Sequence, residues 1–363
     1  MSLRPTLAEL LNRARADLRM GLPVVLSGGG ETLLAAAAET LDAERLAAFR
    51  ALPGSPALLL TAWRAETLKA RVYDGDLARL ALPDTADLAW IRAAADPADD
   101  LMTPLKGPFQ TLRGGAPALA ATAIALAKTA HLLPAALILP LAEGPAFAAA
   151  EGLTLIPVTE ACQALLAAPT LHPVVSARLP MQAARAGRVH VFRPEDGGEE
   201  HYAIEIGRPD RTQPVLTRLH SACFTGDVIG SLKCDCGPQL HAALAQMGTE
   251  GAGILLYLNQ EGRGIGLANK MRAYRLQDQG FDTVEANHRL GFEDDERDFR
   301  IGAALLREMG VRQIRLLTNN PAKVRMMQAM GLGVAERVPL KVGRTAENAA
   351  YLATKAAKSG HLL

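Results

Sequence analysis

Residues 218–239, RLHSACFTGDVIGSLKCDCGPQ, constrain this chain more than any other stretch. Three of its four cysteines, Cys223, Cys234 and Cys236, fall there with the spacing C-x10-C-x-C. Thiolates are soft ligands suited to zinc, and a C-x-C pair beside a third cysteine supplies three corners of a tetrahedron. No fourth cysteine stands nearby, and an open fourth corner is the arrangement of a catalytic zinc. Two plainer readings compete: three small buried hydrophobes, or a structural zinc completed by His220. The residues between the cysteines, Thr225, Gly226, Asp227, Lys233, Asp235 and Gly237, are polar or turn-forming. That is not core composition, and it favours metal.

A chain of 363 residues is long enough for two domains. A formal charge of +1 exerts no global pull toward nucleic acid or membrane. The opening MSLRPTLAELLNRARADLRM has no apolar core followed by a small-residue cleavage site, so it does not read as a signal peptide. The apolar run PALAATAIALAKTA is broken by Lys128 and falls short of the roughly 18 residues of a membrane span. Three clustered cysteines out of four do not read as a disulfide framework. These features predict a cytoplasmic protein with reduced thiols, a small-molecule substrate, and no nucleic-acid or membrane partner.

Apolar spacing predicts a first helix over residues 5–20 and further helices over 31–50, 85–95, 117–131 and 159–167. Strands are expected at 23–27, 57–61, 136–140 and 153–158. Gly28, Gly29 and Gly30 lack both the GK[ST] ending and the GxGxxG spacing of a phosphate loop, so they read as a turn. Three prolines in 169–180 suggest a linker. Beyond it, two strands flank Asp196-Gly197-Gly198, a helix starts near Pro238, and 253–258 and 314–318 are strands. The alternation implies an α/β (α+β) fold of two domains, each a mixed sheet covered by helices.

In the second half, RLHSACFTGD, SLKCDCGPQL, LNQEGRGIGLANKMRAYRLQDQGFDTVEANHRLGF, DERDF and LLTNNPAKV resemble GTP cyclohydrolase II, over roughly residues 176–363. The resemblance implies zinc-dependent hydrolysis of GTP to 2,5-diamino-6-ribosylamino-4(3H)-pyrimidinone 5′-phosphate, formate and pyrophosphate, the step that opens riboflavin biosynthesis. It implies one zinc per subunit on Cys223, Cys234 and Cys236, and a homodimer. Opening an imidazole ring needs hydroxide at neutral pH, and zinc lowers the pKa of bound water to about 7. By resemblance, Tyr274 is a donor or acid near the metal, Asp295 a proton acceptor, and Arg297 a nucleophile toward the α-phosphate. A guanidinium stays protonated, so clamping phosphate is the more natural task for Arg297.

The GTP contacts implied are Arg218, His220, Ser221, Gln239, Glu261, Gly262, Arg263, Thr283, Thr318 and Lys323. Glu261 can accept from the guanine N–H donors. Thr318 precedes a helix start, where free N–H groups favour anions. Mg²⁺ is expected with the triphosphate. Three departures stand out: Ala222 replaces the family's usual glutamate, Lys233 an arginine, and Ala349-Ala350 a Glu-His pair.

Residues 1–170 resemble, faintly, 3,4-dihydroxy-2-butanone 4-phosphate synthase, which is often fused ahead of this cyclohydrolase. The acidic run that synthase needs reads SGGGETLLAAAAE here, and its His-Thr-Glu segment reads APALAATAI. A hard dication prefers several oxygen ligands. The first half therefore reads as a synthase-like domain without its chemistry, serving folding, dimer formation or regulation. The competing readings are a bifunctional fusion and a non-catalytic GTP-binding scaffold or regulator.

Overall fold

The computed structural model describes residues 3–168, 170–360 and 362. Pro169, where the expected linker begins, lies outside the described residues. The first half runs α1 (Leu7–Arg19), β1 (Val24–Gly28), β2 (Glu31–Ala37), α2 (Ala43–Ala51), β3 (Ala57–Thr61), α3 (Ala62–Thr67), β4 (Leu77–Ala81), α4 (Leu88–Ala95), β5 (Thr111–Leu112), α5 (Pro117–Thr129), β6 (Ala135–Leu141), α6 (Gly144–Glu151), β7 (Leu155–Pro157) and α7 (Val158–Leu166). The second continues β8 (Leu171–Arg178), β9 (Gly187–Pro194), β10 (His201–Ile206), β11 (Val215–Ser221), α8 (Cys236–Glu250), β12 (Gly253–Leu258), α9 (Gly266–Asp278), α10 (Thr283–Leu290), α11 (Arg300–Glu308), β13 (Gln313–Leu317), α12 (Pro321–Ala329), β14 (Gly333–Val338) and α13 (Ala349–Ser359). Packing divides them into two units. Residues Met1–Ala167 and Ile265–Glu296 form the first, Ala168–Gly264 and Arg297–Leu363 the second. The division is thus discontinuous: α9 and α10 pack with the first half of the chain.

The first unit is a seven-stranded mixed sheet in the order β5-β4-β3-β6-β2-β1-β7. Only β7 runs parallel to its neighbour. Residues 31–37, expected as helix, form β2 instead. Gly29 and Gly30 sit at φ 63° and 80°, which is what a tight two-residue hairpin requires at both centres. That turn folds Glu31–Ala37 back on β1 and so overrides the alanine bias toward helix. Alternation along the strands then separates two apolar faces. Leu26, Leu33, Leu59 and Ile138 pack under α1, α5 and α7. Leu34, Leu58, Leu60 and Leu137 face α2, α4 and α6, and the same core takes Ile265, Leu276, Leu290 and Phe292 from the later segment.

One charge is sealed in this unit. Arg64 is 1% exposed; its Nε donates to the Ala94 carbonyl at 2.7 Å and its guanidinium to Asp100, Nη2 to Oδ1 at 3.0 Å. Lys106 also reaches Asp100, at 2.5 Å. Burial pushes the Asp100 carboxyl up, but hydrogen bonds and charge from Arg64 and Lys106 outweigh it and hold the carboxyl below its usual range.

The second unit has the order β14-β13-β11-β12-β10-β9-β8. β14, β13, β11 and β12 are parallel, and β10, β9 and β8 complete the sheet antiparallel. One face, with Val215, Leu219, Leu256 and Leu316, packs on α11 and α12. The other, with Leu216, Leu255 and Leu317, packs on α8. The expected linker is mostly strand: β8 occupies 171–178. Pro173 is tolerated because β8 is the sheet's edge and its pairing bulges between Pro173 and Val175. α12 begins as expected, with Asn320 Oδ1 accepting from Ala322 N at 2.9 Å and Pro321 in the first turn. Among the described residues no helix is long and apolar enough to cross a membrane.

Asp100→Asn should cost on the order of 3 kcal/mol at pH 7, because it strips the buried Arg64 of its counter-charge. A carboxyl whose folded pKa is depressed stabilises above its unfolded value of about 3.9 and loses that contribution as pH falls through the folded value. Thermal unfolding of wild type and variant should therefore differ at pH 7 and converge in acid; a gap independent of pH would contradict this account.

Candidate active site

β13, β11 and β12 are adjacent and parallel, so their carboxyl ends open on one edge. Ligand sites of open sheets form outside such ends. The turn after β11 carries Cys223, the turn after β12 carries Glu261-Gly262-Arg263, and Thr318 follows β13.

Cys223 caps a wide, π-helical turn, Phe224–Val228, and its Sγ accepts from Gly226 N at 3.3 Å. The chain returns so that Cys236 opens α8, with Cys234 two residues earlier. The three sulfurs lie within 4.8 Å of one another, and the Cys223 and Cys234 sulfurs are 3.7 Å apart. Gly226 makes this possible: a Cβ there would stand 2.8 Å from the Cys234 sulfur and 3.1 Å from that of Cys223. Hydrogen bonding with Cys223 and Cys234, burial and mutual charge push the Cys236 thiol well up. Cys234 is raised as well, chiefly by Cys223. A metal bound here must displace those protons. Three soft donors converging on one point fit a zinc ion.

His220 is not part of this cluster. Its Nε2 meets the Asp227 carboxylate at 3.0 and 3.1 Å, and since a carboxylate only accepts, Nε2 carries the proton. Burial pushes its pKa down against the pull of Asp227, so the imidazole is neutral at pH 7. The same carboxylate accepts from Cys223 N at 3.0 Å and from the Tyr257 hydroxyl at 3.0 Å. Burial, then Asp227, pushes the Tyr257 phenol up. Asp227 and Tyr257 were not among the residues singled out from the sequence as site residues. The signal available was strand parity: His220 and Tyr257 are register partners on β11 and β12, and Tyr257 is the only polar tip in GILLYL.

Arg218 shares that face of β11. It is 7% exposed and donates to the Leu317 carbonyl at 3.1 Å and to Gln239 Oε1. Burial pushes its pKa down to about 10, so it stays charged at neutral pH. Its Nε is buried without a hydrogen-bond partner among the described residues. Arg297 Nη1 reaches the Ser221 hydroxyl at 3.5 Å. Arg297 and Lys323 both lie over the Phe299 ring, at 4.9 and 4.7 Å, and Lys323 Nζ donates to the Leu219 carbonyl at 3.4 Å. The buried Thr318 accepts from Asn320 N at 3.0 Å. Glu261 accepts from Phe224 N at 2.6 Å and from Gly262 N at 2.8 Å. Arg263 sits at φ 65°, which costs a non-glycine residue on the order of 1 kcal/mol and is typical of ligand sites.

Tyr274, Thr283 and Asp295 belong to the first unit. Tyr274 is half-buried on α9, with Lys270 Nζ 5.8 Å from its ring centre. Thr283 opens α10 behind the Asp282 cap. Asp295 is exposed in the turn after α10.

Gly226→Ala should sharply lower the zinc content of purified protein while the circular dichroism stays as in wild type. Equal zinc by elemental analysis would refute the fit described for the three sulfurs.

A family model described as GTP cyclohydrolase II matches residues 172–339. A GTP cyclohydrolase-2 of Azospirillum brasilense is 41% identical over 97% of this chain and 93% of its own length. A GTP cyclohydrolase-2 of Neisseria meningitidis is 53% identical over 53% of this chain and 97% of its own. Riboflavin biosynthesis protein RibBA of Bacillus velezensis is 56% identical over 48% of this chain and 44% of its own. Among solved structures, a two-domain 3,4-dihydroxy-2-butanone 4-phosphate synthase, RibBX of A. baumannii, aligns over 85% of this chain and 93% of its own at 17% identity and a TM-score of 0.34. With similarity to a cyclohydrolase running through both halves and a cluster of three thiols at the carboxyl edge of its second sheet, the chain belongs to the GTP cyclohydrolase II family.

Proposed function

We propose that this enzyme hydrolyses GTP to 2,5-diamino-6-ribosylamino-4(3H)-pyrimidinone 5′-phosphate, formate and pyrophosphate, the first step of riboflavin biosynthesis. The observation that carries the reading is the cluster of Cys223, Cys234 and Cys236 in a chain so similar to a GTP cyclohydrolase-2 along nearly its whole length. A zinc held by those thiolates supplies Lewis acidity and hydroxide at neutral pH.

The chain's own groups do the rest. Arg218, Arg297 and Lys323 place three cations around the carboxyl ends of β11 and β13, suited to a triphosphate; Mg²⁺ accompanies the phosphates. The buried Arg218 Nε, which has no hydrogen-bond partner among the described residues, is a donor suited to a phosphate oxygen. Glu261 is a carboxylate, acceptor-only, and is assigned to the guanine N–H donors. His220 stays neutral and fixed by Asp227, so it can donate or accept at a defined place without adding charge. Tyr274 is assigned the acid role and Asp295 that of proton acceptor, with Ser221, Gln239, Gly262, Arg263, Thr283 and Thr318 as further nucleotide contacts. Ala222 N donates to the Leu258 carbonyl at 2.7 Å; its methyl brings no carboxylate, so metal and nucleotide lack that acidic neighbour. The protein is assigned to the cytoplasm, as a homodimer with one zinc per subunit.

The first half is read as synthase-like and non-catalytic. Glu31 heads β2 alone after the glycine turn, while APALAATAI, where the synthase has its His-Thr-Glu, lies largely in α5.

Zinc-loaded protein incubated with GTP and Mg²⁺ should release formate, pyrophosphate and the diaminopyrimidine in equal amounts. Pyrophosphate alone would place a failure at ring opening. Tight GTP binding without any product would replace the enzyme by a scaffold. Ribulose 5-phosphate should yield no 3,4-dihydroxy-2-butanone 4-phosphate, and its formation would restore the bifunctional reading.

A further inference from the structure

The first half of the chain has lost the synthase's acids, yet it holds the turn that carries Asp295. Asp295 stands in a run of four acids, Glu293, Asp294, Asp295 and Glu296. Like charges in sequence repel, and such a run on a surface ordinarily opens into solvent. Here each acid flanking Asp295 is tied down within the first unit. Trp63 Nε1 donates to Glu293 Oε2 at 3.1 Å. Lys128 Nζ donates to Glu296 Oε1 at 2.6 Å, and that oxygen also accepts from Glu293 N at 2.9 Å, closing the turn on itself. His288 Nε2 donates to Asp294 Oδ1 at 2.7 Å. The His288 ring in turn lies flat on the Trp63 indole, with centroids 3.6 Å apart and planes 6° from parallel.

Trp63 begins on α3 and Lys128 stands in the last turn of α5, so both project from elements fixed by the first sheet's core. The helix bearing Tyr274 is held in the same manner: Arg272 on α9 pairs with Glu39 at 2.9 Å and Asp96 at 3.2 Å.

We infer that Trp63 and Lys128 are positioning residues for the cyclohydrolase reaction, through which the first half clamps the Asp295 turn. The inference rests on the functional reading above for the role of Asp295. The clamp does not touch substrate. It removes the freedom of a four-residue acidic turn, and a misplacement of about 1 Å at a reacting group costs on the order of a hundredfold in rate.

The test uses the full-length, zinc-loaded protein. In Trp63→Ala/Lys128→Ala, kcat should fall on the order of tenfold to a hundredfold while KM for GTP holds. Lys128→Arg, which keeps the charge, should retain most of the rate; Trp63→Phe, which keeps the stack but loses the indole donor to Glu293, should fall between wild type and the double variant. Amide hydrogen exchange at 293–298 should quicken in the double variant, with β11, β12 and β13 unchanged. Wild-type kcat in the double variant overturns the inference, as does unaltered exchange at the turn. A wild type that consumes no GTP refutes the functional reading instead, and exchange at the turn then decides the clamp by itself.

Discussion

The Asp227 carboxylate is the interaction on which the rest of the site depends. It is nearly sealed from solvent, and it gathers the Cys223 backbone, the Tyr257 hydroxyl and the His220 ring around two oxygens. A buried carboxylate survives only where such donors replace water. Each donor comes from a different piece of the fold: the ends of β11 and β12 and the cysteine turn. Their convergence fixes the turn's path, and the path brings Gly226 against the sulfurs. Remove the carboxylate and three buried donors lose their acceptor together. The geometry of the three sulfurs thus depends on a residue outside their cluster.

Much of this was legible in the sequence. The C-x10-C-x-C spacing and its polar filling announced a metal centre, and the three sulfurs do converge. The strand runs 57–61 and 253–258 are found at those bounds, because short, wholly apolar segments bounded by turn residues leave few alternatives. Residues 31–37 misled because alanine favours helix locally, whereas the Gly29-Gly30 hairpin and pairing with β1 and β6 decide the matter from outside the segment. The edge strand β8 was hidden by its prolines, which a linker and an edge strand share. Asp227 escaped because a polar residue in a cysteine loop looks solvated, and only the three-dimensional return of the chain buries it. The discontinuous first unit was also out of reach, since apolar faces such as Leu276 with Leu290 do not say which sheet they cover.

The two sheets show how one chain separates structure from chemistry. In the first, strands apolar on both faces make a dense sandwich of alanine and leucine. In the second, polar residues break the same rule at one edge: Arg218, His220 and Thr318 are buried at or just beyond the carboxyl ends of parallel strands. Burying a guanidinium near three thiols costs stability, and the Arg218 Nε has no hydrogen-bond partner among the described residues. Such violations of local consistency mark functional sites.

The shared core of the first unit also sets a timetable for synthesis. Leu58, Leu60 and Leu137 are made early, but their covering partners Ile265, Leu276, Leu290 and Phe292 emerge only after the whole of Ala168–Gly264. At ribosomal rates of 5–20 residues per second, the part of that face not covered by α2, α4 and α6 stays bare for on the order of ten seconds. The nascent chain therefore carries a partly covered apolar sheet while the cysteine turn is being made. Its first unit is born early and closes late, a natural client for chaperones that shield unfinished faces.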